Sequence, residues 1–250
     1  MSESKLEIRN IFRNFVGLNW KFGLFLILLI CIPRFILVLK ANESGSYSVI
    51  GMLMFISALI PFVFLNKKGI RSIGIVKSNK YNILLLSFIS GLVLSFILYY
   101  IGDLLYASST ENFYVYIGNS YNIPEGISMA NKRTMFVIMA ITGMTFSPIG
   151  EELFFRGIVH KSFENSLGNK LASIVDSGVF ALVHLSHFGI VYVSGVWKFY
   201  PLPSIIWLTS MFVLSLVFIF FKDKSQSIWG AVLCHSGFNL GMIYCIFYMI

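Results

Sequence analysis

The chain has 250 residues, of which 57% are hydrophobic and 12% are charged, and its formal net charge is +8. These proportions exclude an ordinary soluble domain, which is about 45–50% apolar and about 25% charged. The basic residues lie mainly between apolar segments, which indicates membrane topology rather than a nucleic-acid partner. The three cysteines, Cys31, Cys234 and Cys245, lie in apolar runs without close spacing, which excludes a disulfide framework and a zinc knuckle.

Apolar segments of about 20 residues predict membrane-spanning helices. In chain order the candidates are residues 22–39, 49–65, 81–101, 134 to about 155, 171–186, 204–221 and 228–250. The pattern predicts an all-α, polytopic membrane helical bundle of seven spans, or eight if the segment HFGIVYVSGVW enters the bilayer. Because the apolar segments continue from end to end, we predict a single integral membrane domain over residues 1–250.

The lysines and arginines are distributed unequally between the two sets of loops. If the N-terminus lies inside, most of them fall in inner segments, including the stretch NKKGIRSIGIVKSNK at residues 66–80. The outer segments then carry Lys40, Lys132, Arg133 and Lys198. This asymmetry predicts a cytoplasmic N-terminus.

Several charged, imidazole or amide side chains lie within or beside the apolar segments: Arg34, Glu151, Glu152, Arg156, Asp176, His184, His187, His235 and Asn239. Such groups are costly in lipid and usually have a function. For Arg34 and Asp176 we favour a structural role, in which they pair with polar groups of other helices. We interpret His187 as a bystander and His160 as a solvated residue of a cytoplasmic loop.

The stretch EELFFRG, at residues 151–157, places two adjacent glutamates before an arginine. Neighbouring residues on a helix point about 100° apart, so Glu151 and Glu152 face different surroundings. Glu152 and Arg156 have the i, i+4 spacing and the order that favour an ion pair. Glu151 is then left without a partner, and a buried carboxylate of this kind suits a general base.

Two further motifs have the same four-residue spacing. Phe180 and His184 share one helix face in FALVH, and His235 and Asn239 share one in CHSGFN. Gly237, between the latter two, allows another backbone to approach closely. Side chains that transfer protons or donate hydrogen bonds, on three separate segments, favour an active site.

With these three motifs, within residues 134–241, the sequence resembles the CPBP family, the CAAX-protease and bacteriocin-processing intramembrane endopeptidases also called Abi proteins. EELFFRG matches the family's pair of glutamates followed by an arginine, FALVH its phenylalanine and histidine, and CHSGFN its histidine and asparagine. The resemblance implies peptide-bond hydrolysis in the membrane of, we expect, a bacterial cell.

The resemblance also implies roles for the motif residues. Glu151 and His184 would activate a water, while His235 and Asn239 would donate hydrogen bonds to the oxyanion. The residues with supporting roles would be Glu152, Arg156 and Phe180. The expected partners are a peptide or protein substrate and the lipid bilayer, and the oligomeric state is left open. The expected cellular roles are peptide maturation, bacteriocin immunity or pheromone processing.

Three alternatives remain open from the sequence. The first is a zinc-dependent version of the same protease, with Glu151, His184 and His235 as ligands, although the sequence lacks the HExxH signature and the favoured mechanism needs no cofactor. The second is a non-catalytic transporter or scaffold whose charged groups form an ion path. The third is a pseudoprotease that only binds peptides.

The depth of the motif residues adds a further expectation. Counting from the ends of the predicted spans places Glu151 near the inner side of the membrane and His184 nearer the outer side. They meet only if the fourth span continues inward or is bent, and Pro148 offers a position for a kink. We therefore predict a broken or tilted fourth helix and a water-filled cavity at mid-depth.

Overall fold

The structure, a computed structural model, describes residues 6–250 apart from the Ser48 side chain, and it is predominantly helical. The helices are α1 (Trp20–Ser44), α2 (Ser48–Phe64), α3 (Lys67–Ser72), α4 (Tyr81–Tyr106), α5 (Phe113–Asn119), α6 (Met129–Glu152), a π-helix (Leu153–Val159), α7 (His160–Leu167), α8 (Asn169–His184), α9 (Pro201–Ser225) and α10 (Ile228–Tyr248). The prediction of an all-α polytopic bundle is confirmed.

Within the described residues, five helical segments are long and apolar enough to cross a membrane: Trp20–Ser44, Tyr81–Tyr106, Met129–Leu167, Pro201–Ser225 and Ile228–Tyr248. The predicted spans at 49–65 and 171–186 correspond to α2 and α8, which are shorter, at 17 and 16 residues. Many large apolar side chains on the long helices are exposed, among them Leu28 and Ile32 of α1. Lipid would cover this surface, because its side chains are apolar and each helix satisfies its own backbone hydrogen bonds.

The segment HFGIVYVSGVW does not form an eighth helix. It contains a β-hairpin of β1 (Ile190–Val193) and β2 (Val196–Phe199), joined by Ser194 and Gly195. Both turn residues have positive φ, of 54° and 81°, as a tight two-residue hairpin requires. The β-branched and aromatic residues of this segment favour strands, so the suggestion of an additional helical span is wrong.

Polar side chains determine where several helices begin. The side chain of Asn19 accepts hydrogen bonds from the first turn of α1, Ser128 caps α6 and Ser227 caps α10. These caps satisfy backbone N–H groups that have no partner within the helix. At the other end of α1, Gly45 has φ of 73°, a conformation that favours glycine.

Helix α10 is the centre of the bundle, since its apolar stretch is the most buried of the five long segments. It packs closely against α4, because a Cβ at Gly237 would overlap the carbonyl oxygen of Phe88. A Cβ at Gly91 would likewise overlap the carbonyl oxygen of Cys234. The predicted close approach of a backbone at Gly237 is thus confirmed, and it positions the residues of α10 that face the cavity.

Candidate active site

A cavity of about 210 Å³ lies between α1, α6, α8, α9 and α10. The residues predicted to be catalytic line it together: Glu151, His184, His235 and Asn239. Its wall also contains Arg34, Ser147 and His187, and the remaining lining is largely aromatic and aliphatic. The sequence therefore identified side chains that converge in space. It did not single out Ser147, it interpreted His187 as a bystander, and it favoured for Arg34 a structural pairing with another helix, which Arg34 makes with Glu151.

Glu151 has two carboxylate oxygens in different surroundings. Oε1 accepts a hydrogen bond from Arg34 Nη2 at 3.0 Å and another from Ser147 Oγ at 2.6 Å. Oε2 is buried without a hydrogen-bond partner and lies 3.8 Å from His184 Nε2. The expectation that Glu151 has no partner is wrong, because an arginine 117 residues away reaches it across the bundle.

His184 is oriented by the helix on which it lies. Its Nδ1 is 2.7 Å from the carbonyl oxygen of Phe180, and its ring packs on the Phe180 ring with centroids 4.2 Å apart. A carbonyl only accepts hydrogen bonds, so Nδ1 carries a proton, and a neutral ring then has its lone pair on Nε2. That lone pair is on the side of the ring that faces Glu151 Oε2.

Neither Glu151 Oε2 nor the lone pair of His184 Nε2 can donate, so the two atoms do not hydrogen-bond to each other, and a donor between them would serve both. A water molecule with two hydrogen bonds of about 2.8 Å can span the gap between His184 Nε2 and Glu151 Oε2. It would donate one hydrogen to each, and its own lone pairs would face the cavity. The site therefore has the geometry to hold and polarise a single water.

Glu152 points away from Glu151, as the helix geometry predicted. Its Oε2 lies 3.1 Å from Arg156 Nε, and its Oε1 lies 2.8 Å from His235 Nδ1. Glu152 and Arg156 are fully buried. The predicted i, i+4 ion pair is present, and Glu152 additionally orients His235, so that Nε2 of this ring is the nitrogen that remains for other partners.

Two phenylalanines hold this charged group in place. The Arg156 guanidinium lies 4.2 Å from the centroid of Phe180 and 5.1 Å from that of Phe218. Phe218 also stacks on the His235 ring, with centroids 4.8 Å apart and planes 15° apart. The cation–π contacts of Arg156 are of a kind worth about 2 kcal/mol or more each when they are desolvated. Phe218 carries no sequence signal, because it is one of many phenylalanines in an apolar helix.

Asp176 and His160 extend the buried group on the side away from the cavity. Asp176 Oδ2 lies 3.9 Å from Arg156 Nε and 3.4 Å from His160 Nδ1. His160 is 3% exposed, and its Nε2 contacts Asn169 at 3.0 Å. The interpretation of His160 as a solvated loop residue is wrong, because the helix continues past Glu152 and carries His160 into the bundle. The location of Asp176 agrees with the structural role favoured for it.

Asn239 lines the cavity one turn after His235. Its Nδ2 donates a hydrogen bond to the carbonyl oxygen of Gly143 at 2.9 Å. An amide nitrogen carries two hydrogens, so one remains after this contact. The bond to α6 fixes the plane of the amide, and the second hydrogen is available to a group in the cavity.

The fourth predicted span continues far enough for Glu151 and His184 to lie at the same depth, and it does so without a break at Pro148. The helix runs without interruption from Met129 to Leu167, well past Glu151, as one of the two predicted possibilities required. A π-helix replaces α-helical geometry at Leu153–Val159, directly after the two glutamates. π-Helical turns inside α-helices are frequent at functional sites. Within this π-helix the Arg156 carbonyl oxygen accepts a hydrogen bond from Lys222 Nζ at 2.6 Å.

The zinc alternative names Glu151, His184 and His235 as ligands. Throughout residues 6–250, no three His, Cys, Asp or Glu side chains are grouped so that they could hold a metal ion. In addition, the guanidinium of Arg34 lies 3.0 Å from the carboxylate of Glu151. The residues do not fit a zinc site in this arrangement, and no step below depends on a metal.

Comparison with known proteins agrees with the three motifs. Residues 133–241 match the family model of the type II CAAX prenyl endopeptidase Rce1-like proteins. No curated protein and no solved structure matches the chain. The fold defines a polytopic helical membrane protein with polar side chains gathered at the wall of a cavity between its helices. Residues 133–241, which contain the three motifs, thus match the CPBP, or CAAX-protease, family, and this match supports a peptidase of the intramembrane class.

Proposed function

We propose that the protein is an intramembrane endopeptidase that cleaves a peptide bond with a water activated by Glu151 and His184. The observation that carries this proposal is the unpartnered Oε2 of Glu151, 3.8 Å from His184 Nε2 at the wall of a cavity. A buried carboxylate oxygen without a hydrogen-bond partner is costly in a folded protein. A water bound there would relieve this cost and lie beside the base that deprotonates it.

The reaction begins when this water attacks the carbonyl carbon of the scissile peptide bond. Its proton passes to Glu151 Oε2, and a tetrahedral intermediate with a negatively charged oxygen forms. When the C–N bond breaks, the proton moves to the leaving amine, so that the carboxylate is regenerated. General acid–base catalysis of this kind contributes about 10²–10⁴-fold to a rate.

Asn239 and His235 stabilise the oxyanion in this proposal. Asn239 donates the Nδ2 hydrogen that Gly143 leaves free. His235 Nδ1 already donates to Glu152, so Nε2 donates only when the ring is doubly protonated. The carboxylate of Glu152 stabilises that imidazolium, which gives Glu152 a supporting electrostatic role.

Arg34 and Ser147 are positioning residues for Glu151. Both donate to Oε1, so the carboxylate plane is fixed and Oε2 is directed to the water site. Arg34 lies on α1, outside residues 133–241, so the first helix of the bundle contributes to the site. No metal or other cofactor is part of the proposed mechanism.

The substrate is a small peptide or a protein tail that reaches the cavity within the bilayer or at its surface. Peptide maturation, bacteriocin immunity and pheromone processing are the cellular roles that the family resemblance suggests, with the bacterial cell membrane as the location. The whole chain acts as one integral membrane domain with its N-terminus in the cytoplasm. The unequal distribution of lysine and arginine supports this orientation.

The direct test compares the peptides released from membranes that contain the wild-type protein, Glu151→Gln or Glu151→Ala, by mass spectrometry. We expect a set of peptides that depends on Glu151 and is unaffected by a metal chelator. The matched control is Glu125→Gln, which changes an exposed acid of a loop. Unchanged release from both Glu151 variants would end the protease proposal, and loss of release with a chelator would revive the zinc alternative.

A further inference from the structure

A second, larger pocket adjoins the catalytic cavity. It has a volume of about 460 Å³ and lies between the end of α1, the start of α2, α5 and the β-hairpin. Ile117 and His187 line both this pocket and the catalytic cavity, so the two spaces share a wall. The volume is within the range of about 300–1,000 Å³ that is typical of ligand sites.

The walls of this pocket are polar and, for the most part, uncharged. Amides and hydroxyls predominate, and among the described residues that line it Glu43 alone carries a formal charge. Burial raises the pKa of Tyr47 to about 12, so its hydroxyl stays protonated. Neutral amides and hydroxyls offer both donors and acceptors, and an extended peptide presents one N–H and one C=O per residue.

The inner end of the pocket is built by a hydrogen-bonded set of side chains. The Tyr47 hydroxyl donates to Asn42 Oδ1, and Asn42 Nδ2 donates to the carbonyl oxygen of Ser186 at 2.8 Å. His187 follows directly, its ring 5.4 Å from that of His184. His187 Nε2 is buried without a hydrogen-bond partner. His187 lines both spaces, so this nitrogen is a candidate partner for a ligand that passes from one to the other.

The pocket lies on one particular side of the bundle. It opens at the end of α1 and the start of α2, whereas the basic stretch at residues 66–80 lies at the opposite end of α2. With the N-terminus in the cytoplasm, the pocket faces outward and the basic stretch faces inward. A passage between the two spaces at Ile117 and His187 would therefore lead from the outer face of the membrane to the catalytic cavity.

We propose that this outer pocket binds an extended peptide substrate as it enters from the extracytoplasmic side, and that His187 Nε2 holds the peptide main chain at the junction with the catalytic cavity. The inference rests on the proposed function, since it names the route and the binding groups for the same hydrolysis. A separate apolar groove between α4 and α9, which reaches the catalytic cavity at Leu214 and Phe238, is the competing route from the lipid.

The route is tested by cysteine labelling, which does not depend on catalysis. Asn119→Cys, at the exposed rim, and His187→Cys, at the junction, are treated in intact cells with a charged methanethiosulfonate reagent that does not cross membranes. We expect both to react, and Lys68→Cys, which is exposed in the basic stretch, to react only after permeabilisation. The wild-type protein gives the background, since its three cysteines are buried.

Two labelling results would overturn the route. The pocket would not be connected to the outer face if His187→Cys reacted only in permeabilised cells. The passage would be closed if Asn119→Cys reacted from outside and a folded His187→Cys did not.

Binding is tested on the same cells by blocking the pocket. A bulky maleimide on Asn119→Cys should reduce the release of Glu151-dependent peptides about tenfold or more if substrate must pass it. The same reagent on Glu125→Cys, an exposed position outside the pocket lining, should leave release unchanged. Inhibition by the label on Ser210→Cys, in the apolar groove, and not on Asn119→Cys would overturn the proposal in favour of the lipid route.

The role of His187 is tested with a synthetic peptide that spans one Glu151-dependent cleavage position. His187→Ala should raise KM about three- to tenfold, the loss of one neutral hydrogen bond, and leave kcat unchanged. His187→Gln retains a donor and should restore most of the affinity. A fall in kcat without a change in KM would contradict the binding role. If the wild-type protein releases no Glu151-dependent peptide, the proposed function fails, and the labelling result still decides the route.

Discussion

The neighbouring carboxylates of Glu151 and Glu152 occupy two different regions of the molecule. Glu152 lies in a sealed region, where both of its oxygens contact buried side chains, Arg156 and His235. Glu151 lies at the cavity, where Arg34 and Ser147 hold one oxygen and the other lies 3.8 Å from His184 Nε2, compared with 3.1 Å between Glu152 Oε2 and Arg156 Nε. A difference of one position on a helix thus separates a carboxylate that stabilises the bundle from one that has an oxygen available for chemistry.

The largest expected effect is on stability and concerns the sealed region. Arg156→Leu leaves Glu152 and Asp176 without their cation, and the loss of one partner from a buried ion pair costs about 3–5 kcal/mol. We expect a large fall in the free energy of unfolding, measured by denaturant titration in detergent micelles. Arg71→Leu, at an exposed position of α3, is the matched control and should change this free energy by about 0.5 kcal/mol or less. A stable Arg156→Leu protein would contradict the contrast between the two regions.

The next largest effect is expected at the cavity and is mainly an effect on the reaction rate. Asn239→Ala removes a proposed oxyanion donor, which should lower kcat about 10²–10³-fold. The lost hydrogen bond to Gly143 should change the free energy of unfolding by only about 1 kcal/mol. Peptide release per amount of folded protein measures the first quantity. Asn131→Ala, at an exposed position of α6, is the control, and equal rates for the two variants would exclude Asn239 from the reaction.

A smaller fall in kcat is expected when Arg34, which donates a hydrogen bond to Glu151, is replaced. Arg34→Lys keeps the positive charge but changes the geometry of the donor, so Oε2 is directed less well to the water site. The weakened charge-assisted hydrogen bond should lower kcat about tenfold. Arg133→Lys is the control on an exposed arginine. An unchanged kcat for Arg34→Lys would show that charge alone, and not position, is what Arg34 contributes.

The smallest expected effect is a difference in unfolding midpoint between substitutions at two phenylalanines of α9. Phe218 is fully buried and stacks on His235, whereas Phe220 is 50% exposed on the surface that lipid would cover. Phe218→Leu loses ring contacts worth about 0.5–1.5 kcal/mol, so its unfolding midpoint should fall slightly. Phe220→Leu should leave the midpoint unchanged. Equal midpoints would mean that the stacking contributes nothing to stability.

The features that the sequence predicted correctly are local or lie on one helix face. The i, i+4 pair of Glu152 and Arg156, the shared face of Phe180 and His184, and the close approach at Gly237 all follow from helix geometry. The prediction that the three motifs converge on one cavity rested on the family resemblance and on the scarcity of polar groups in apolar segments.

The features that the sequence missed depend on contacts between distant segments. Arg34 meets Glu151 across 117 residues and His235 meets Glu152 across 83, and neither pairing has a periodicity that a sequence shows. The burial of His160 depends on how far a helix continues beyond the π-helix. The hairpin after His187 was treated as apolar sequence, although its Ser-Gly turn is a signal for strands.

The central claim, that Glu151 is the reacting carboxylate and Glu152 its structural neighbour, is tested most directly by comparing Glu151→Gln with Glu152→Gln. Both substitutions preserve shape and remove one charge. The measurement is the rate of peptide release per folded molecule, together with the unfolding midpoint of the same preparation. We expect Glu151→Gln to lose about 10²–10⁴-fold in the rate per folded molecule, and its midpoint to fall as well because Arg34 loses its partner in a buried ion pair. We expect Glu152→Gln to lose mainly stability and, in the molecules that fold, to lose only the smaller part of the rate that its support of His235 contributes. The reverse pattern, with turnover retained in Glu151→Gln, would contradict the account.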